Sequence, residues 1–296
     1  MSDTVLTITN LHAELRAGRK TGPGILRNVS LMVHQGEMHG LVGESGAGKS
    51  MIARAILGIL PRSILISDGS IDFLGRQMVG LADSDRRKIL GRDISLIPQD
   101  PLTALNPARR IGAQMTDVMR LHLGWSRARA HDAALALLNE VHIREAEAVL
   151  RRYPHELSGG MRQRVLIATA FACEPKLIIA DEPTTALDVT VQKQILRLLR
   201  EMQNRHGTAI LLVTHDLGVV AKMCRSLSVI HSGMIVEQGE VSDIVTRPEH
   251  AFTRALFAAT PRYDRPADAL SPVPGKVVRE LEENAATFDR ARAGLS

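Results

Sequence analysis

The chain has 296 residues, 45% of them hydrophobic, enough for one large domain or two modest lobes with cores of their own. A formal net charge of +5, from 37 basic and 32 acidic residues well mixed along the chain, suits an ordinary soluble enzyme as well as one beside an anionic surface. An aromatic share of 3%, with a single tryptophan at Trp125, argues against a surface that stacks many exposed bases.

Met1–Asn10 alternates apolar and polar residues instead of placing a basic start before an apolar run, so no signal peptide is expected. Val5–Leu11 reads as a half-buried strand and Arg16–Gly24 as a basic, glycine-rich loop. Val29–Val33 is a second strand, Gln35-Gly36 a turn, and Met38–Val42 a short apolar strand. Met51–Leu60 reads as a helix stopped by Pro61, and Ser70–Phe73 as a strand before Gly75. Ile94–Ile97 is a strand running into Pro98-Gln99. The middle of the chain then turns helical: Ser126 is a candidate N-cap, and Ala130, Ala134, Leu137, Leu138 and Val141 share one helix face. Cys173 and Cys224 lie far apart and outside any Cys-x-x-Cys, so they read as small buried hydrophobes and not as a disulfide or zinc site.

Leu177–Ala180 is a fully apolar strand, followed by a helix with Val191, Ile195, Leu198, Leu199 and Met202 at helical spacing. Ile210–Val213, Leu227–Ile230 and Met234–Gln238 are further strands, the last two around Ser232-Gly233. Apolar strands alternating with amphipathic helices predict an α/β fold with a parallel sheet covered by helices. The helical stretch from about Asp85 to Met161 reads as a lobe inserted into that core. No apolar run approaches a membrane span, so a cytoplasmic chain is expected, with any membrane role coming through a partner. After Glu240 the pattern weakens, and Pro261, Pro266, Pro272 and Pro274 mark a loose C-terminal segment.

Gly43-Glu44-Ser45-Gly46-Ala47-Gly48-Lys49-Ser50 fits G-x-x-x-x-G-K-[ST], with a strand before and a helix after. Its glycines let the backbone curl and turn successive N–H groups inward, and the helix N-terminus adds partial positive charge where a polyphosphate would sit. Lys49 would reach the β- and γ-phosphates, and Ser50 would hold Mg²⁺. Asp181 and Glu182 leave the C-terminal end of an apolar strand, the usual place for ligand chemistry in open α/β sheets. Asp181 would bind Mg²⁺, and Glu182 would orient or deprotonate an attacking water. Ser158, Gly159 and Gly160, in Leu157-Ser158-Gly159-Gly160-Met161-Arg162-Gln163-Arg164, stand ahead of a helix and form a second anion site. Such a site makes sense if it closes on a γ-phosphate held by a different subunit.

With these three elements the chain resembles the ATP-binding-cassette (ABC) ATPases. The resemblance implies a P-loop NTPase (RecA-like) core with an antiparallel β lobe and an inserted α-helical subdomain. It implies ATP and Mg²⁺ as cofactors, with nucleotide sandwiched between one subunit's phosphate loop and another's Ser-Gly-Gly signature. Gln99 matches the glutamine that contacts Mg²⁺ and links the core to the helical lobe. Ala186-Leu187-Asp188 matches the loop crossing the dimer interface, and His215 the histidine that contacts the γ-phosphate.

Gln99-Asp100-Pro101, Leu105-Asn106-Pro107 and the run from Asp181 to Gln192 narrow the resemblance to ATPases of dipeptide, oligopeptide and nickel importers, of the D-subunit type. That type implies a second ATPase subunit, two permease subunits, an extracytoplasmic solute-binding protein and a place on the cytoplasmic face of a bacterial inner membrane. The expected division is an ATPase domain over 1–240 and a C-terminal extension over 241–296. Two departures stand out. Leu11-His12-Ala13-Glu14-Leu15-Arg16 lacks the aromatic that many relatives stack on adenine, leaving Leu15 or Arg16 to pack on the base. The extension reads His250-Ala251-Phe252-Thr253 where His-Pro-Tyr-Thr is usual, and its tail, Arg279–Ala293, is charged, free of cysteine and reads as a solvated helix or as disorder. The rival classes are an ABC ATPase acting on nucleic acid and a regulatory subunit that binds ATP without hydrolysing it. No long coiled coil, zinc module or second cassette supports the first, and Gln99, Glu182 and His215 argue against the second.

Overall fold

The computed structural model describes residues 4–17, 20–185, 187–259, 273–292 and 294. They divide into two compact units, Met1–Leu81 with Leu211–Ser296, and Ala82–Ile210.

The first unit opens with β1 (Thr4–Ala17), β2 (Lys20–His34) and β3 (Met38–Val42), then helix α1 (Lys49–Leu57) and strands β4 (Ile64–Phe73) and β5 (Arg76–Gln77). Four of these strands form an antiparallel sheet in the order β2-β1-β4-β5. The core-facing set shifts along β1. Leu6 and Ile8 are buried before a register shift, and Leu11 and Ala13 after it, with Asn10 at φ 50° between them. An extra residue in one strand moves every following side chain to the other face.

Arg16–Gly24 is mostly strand and not loop, because β1 runs to Ala17 and β2 starts at Lys20. β1 and β2 pair with each other across this stretch, Glu14 opposite Gly24 and Arg16 opposite Thr21, and the basic, glycine-rich composition of a hairpin end does not announce that pairing. Pro61 does not stop α1 either. Gly58 does, at φ 65°, with its N–H on the Ala55 and Arg54 carbonyls.

The second unit contains α2 (Asp83–Ile89), β6 (Ile94–Ile97), α3 (Pro101–Ala104), α4 (Ile111–Leu123), α5 (Arg127–Glu140), α6 (Ala146–Arg151), α7 (Gly159–Phe171), β7 (Leu177–Asp181) and α8 (Val189–His206). β6 and β7 pair in parallel from Ile94 opposite Leu177 to Ile97 opposite Ala180. Ser126 caps α5 by accepting from the Arg129 N–H, and the predicted stripe from Ala130 to Val141 is buried. Asp100 caps α3 with Pro101 at its first position. Cys173 is buried, which pushes its thiol up to about 11, and Cys224 is half-buried.

The chain closes with β8 (Ala209–Thr214), α9 (Leu217–Met223), β9 (Ser226–His231), β10 (Met234–Glu240), α10 (Val241–Thr246), α11 (Ala251–Ala259) and α12 (Gly275–Arg292). In the first unit the strand order is β10-β9-β3-β8, with β3 and β9 parallel and β9 and β10 an antiparallel hairpin. Val42, Val220, Val229, Phe252, Leu256 and Leu281 share one apolar cluster, so α11 and α12 each place at least one apolar side chain on the core. Within the described residues beyond Glu240 the fading pattern still holds helices α10, α11 and α12. α12 gives the helical form of the expected tail, largely exposed, but it is also docked through the buried Leu281 and Ala285. Pro261, Pro266 and Pro272 lie outside the described residues. Among the described residues no helix is long and apolar enough to cross a membrane.

Candidate functional site

In the first unit, β3 is buried at all five positions and delivers the chain to Gly43. A Cβ on Gly43 would stand 2.2 Å from the Ile230 carbonyl oxygen, so the loop passes β9 only as glycine. Gly48 takes φ 109°, which L side chains rarely adopt, and it opens α1. That helix has no acidic residue in its first turn and no side-chain cap. Its N-terminal dipole therefore meets no carboxylate of its own first turn, which suits an anion.

Lys49 is 5% exposed, and its ammonium donates to the carbonyls of Gly43 at 2.7 Å and Glu44 at 2.9 Å. A buried ammonium needs such acceptors. They hold Nζ against the backbone of its own loop. Glu44, Ser45 and Gly46 form the exposed crest, and the buried Ala47 carbonyl accepts from the Gly233 N–H at 2.9 Å. Ser50 sits half-buried in the first turn of α1. His215 follows β8 and is exposed, just before Asp216, which caps α9 by accepting from the Val219 N–H at 3.1 Å. Leu15 and Arg16, the two candidates to pack on a base, are exposed on β1.

In the second unit, β7 ends on the half-buried Asp181, and Glu182 turns the chain at φ 45°. That left-handed conformation costs a residue other than glycine about 1–2 kcal/mol. The Glu182 carboxylate accepts from the Gln99 amide at 3.1 Å and from the Thr185 hydroxyl at 2.9 Å. These two hydrogen bonds favour the turn that carries the strained residue. Both donors meet one oxygen, so the carboxylate is fixed in place. Gln99 turns its nitrogen to Glu182, which leaves its amide oxygen as the atom a cation would use. Thr185 is absent from the sequence-predicted set. A hydroxyl three residues beyond a strand-end carboxylate carries no pattern of its own.

Ser158 caps α7, accepting from the Met161 N–H at 3.3 Å, and α7 also lacks an acidic residue in its first turn. The two glycines that follow differ in their duties. A Cβ on Gly160 would press on Val191 of α8 at 3.0 Å, whereas one on Gly159 would meet only Leu187 at 3.8 Å, ordinary contact. Gly160 lets two helices approach, and Gly159 leaves the helix N-terminus uncovered. Asp188 caps α8, accepting from the Thr190 and Val191 N–H groups at 3.0 and 2.9 Å. An aspartate ahead of an apolar helical stripe is itself a cap signal. Ala186 lies outside the described residues. Within its own unit, then, Gln99 meets Glu182, and the Ser158–Gly160 segment opens a helix that packs on α8. In this unit Gln99 and Asp181 carry amide and carboxylate oxygens, and in the first unit Ser50 carries a hydroxyl, each a hard donor of the type Mg²⁺ takes.

The family described as ABC transporter matches residues 26–185, and the one described as Oligopeptide/dipeptide transporter, C-terminal region, matches 236–287. The chain is 45% identical over 296 residues to the probable D,D-dipeptide transport ATP-binding protein DdpD of Escherichia coli (strain K12), covering 99% of this chain and 90% of that protein. It is 44% identical over 284 residues to a probable peptide ABC transporter ATP-binding protein of Sinorhizobium fredii, covering 95% and 84%. Among solved structures, a dimeric ATP-binding cassette in a post-hydrolysis state with ADP and Pi is similar at a TM-score of 0.70 and 25% identity, over 80% of this chain and 98% of that one.

Proposed function

The chain belongs to the ABC transporter family as an ATP-binding ATPase subunit, and from that premise we propose that it powers uptake of peptides or related small solutes, nickel among them, through partner permeases. The observation that carries the peptide reading is the oligopeptide/dipeptide C-terminal match lying behind the ABC match on one chain. In this reading 1–240 is the ATPase domain, with a helical subdomain over about 85–161, and 241–296 is the extension. The subunit pairs with a second ATPase subunit at the cytoplasmic face of the membrane, beneath two permease subunits that receive solute from a binding protein.

The loop Gly43–Ser50 grips the triphosphate by its N–H groups and Lys49. Ser50, Asp181 and the Gln99 amide oxygen are the donors for Mg²⁺, which when bound neutralises phosphate charge. Glu182, oriented by Gln99, positions the attacking water and takes its proton, and His215 approaches the γ-phosphate. Ser158, Gly159 and Gly160 of one subunit close on the nucleotide of the other, and Asp188 lies in the loop between subunits. In membrane vesicles carrying the assembled permease, the ATPase rate should rise when peptide-loaded binding protein is added. Stimulation by nickel alone, or by nucleic acid, with none by peptide, would replace the peptide reading.

Gly159→Ala separates the signature's role from folding. Alanine in place of glycine in a helix should be neutral or stabilise by roughly 0.5–1 kcal/mol, and the space around Gly159 permits it. Steady-state ATPase should nevertheless fall about tenfold or more, because the methyl group would cover the N–H groups meant for the partner's γ-phosphate. Thermal melting and ATPase assays on the same sample read both effects. An unchanged rate with an intact fold would remove Gly159 from the composite site.

A further inference from the structure

The roles above leave α12 unused, yet its last turns are tied to the floor of the phosphate loop. Arg27 of β2 commits its whole guanidinium fork. Nε and Nη2 donate to the two Asp289 oxygens at 2.8 and 2.7 Å, and Nη1 donates to the Ser232 carbonyl at 2.7 Å. Asp289 also accepts from the Gly24 N–H at 3.2 Å. The next residue after Ser232 completes the link. The Gly233 carbonyl accepts from the Arg27 N–H at 2.8 Å, and the Gly233 N–H donates to Ala47 of the phosphate loop at 2.9 Å. The turn is pressed on β2, since a Cβ on Gly233 would stand 2.2 Å from the Ile25 carbonyl oxygen, and Leu26 packs beneath Gly48.

We propose that Asp289 is a positioning residue, by which α12 holds Ala47 and Gly48 in their phosphate-binding shape through Arg27 and the Ser232-Gly233 turn. This rests on the reading of Gly43–Ser50 as the ATP loop. The side chains of Arg27 and Asp289 are 12% and 25% exposed, so the pair is partly withdrawn from water, and a bidentate fork fixes direction as well as charge. Burial raises the Asp289 carboxyl, but the hydrogen bond and charge of Arg27 outweigh it and hold it below the usual carboxylate range. The C-terminal family match ends at 287, short of this residue. α12 has other anchors: Phe288 lies 5.6 Å from the His12 ring, and Arg292 meets Asp68 at 3.0 Å. Losing one carboxylate charge therefore leaves the helix docked.

The full-length chain tests this as wild type, Asp289→Asn, Asp289→Glu and Arg27→Lys. Three readouts apply: affinity for a fluorescent ATP analogue, amide exchange at Ala47–Ser50 without nucleotide, and kcat at saturating ATP. Asp289→Asn should weaken binding about tenfold, within the range usual for coupling between separate sites. Exchange at the loop should quicken, while kcat at saturating ATP stays within about twofold. Asp289→Glu should recover most of the affinity, and Arg27→Lys, which loses the fork, should not. Wild-type affinity and loop exchange in Asp289→Asn, even with a lowered melting point, would overturn the relay and leave only a structural ion pair. A wild-type chain that fails to bind the analogue would instead sink the ATP reading on which the relay depends.

Discussion

Glu182→Gln should leave ATP binding intact and lower turnover about 100- to 10,000-fold, the contribution usual for a positioned general base. Glutamine keeps the length and planarity of the side chain. Its amide oxygen can still accept from Gln99 and Thr185, the two donors that fix the wild-type carboxylate. The φ of 45° is a backbone property and is unaffected by the swap. What disappears is basicity at the oxygen that would take the proton of the attacking water. ATP titration and single-turnover hydrolysis separate the two outcomes. Binding should match wild type while the chemical step nearly stops. A hydrolysis rate within about tenfold of wild type would strip Glu182 of its role as base and leave positioning and charge to carry the chemistry.

The site elements were legible in the sequence to different depths, for physical reasons. β3, β6, β7 and β8 are short apolar runs between turn residues. Such a run has few alternatives to burial in a sheet, and the bounds of β3 and β6 fell where the pattern put them. The phosphate loop announces itself because several constraints coincide over eight residues. The antiparallel sheet runs longer than its sequence pattern, because β1 and β2 continue where each supplies the other's hydrogen bonds, and a bulge near Asn10 breaks the alternation. The Thr185 contact with Glu182 depends on how a turn folds back, which no periodicity encodes. Arg27 and Asp289 are 262 residues apart, and each looks like an ordinary surface charge until the fold brings them together. The docking of α12 was hidden for the same reason. Its composition is that of a solvated helix, and only two of its residues, Leu281 and Ala285, are buried.

Lys49→Ala should weaken ATP binding by about 10- to 100-fold or more while barely moving the melting point. A charge-assisted hydrogen bond is worth about 1.5–3 kcal/mol, and each 1.4 kcal/mol is a factor of about ten in affinity. The stability side follows from what Nζ now touches. Its partners include the Gly43 and Glu44 carbonyls, and a buried ammonium carries its own desolvation cost. Removing the ammonium strands those carbonyls at a loop whose crest, Glu44 to Gly46, is exposed to water that can take its place. The loss and the relief oppose one another, so the fold should notice little. Isothermal titration with ATP, paired with thermal melting, reads both quantities. A large drop in melting point would mean that Lys49 is chiefly a structural strut. Unchanged affinity would mean that the loop's N–H groups and the helix N-terminus hold the phosphates without it. The expected pattern, binding lost and fold kept, is what a lysine stored against its own loop and released to a triphosphate would give.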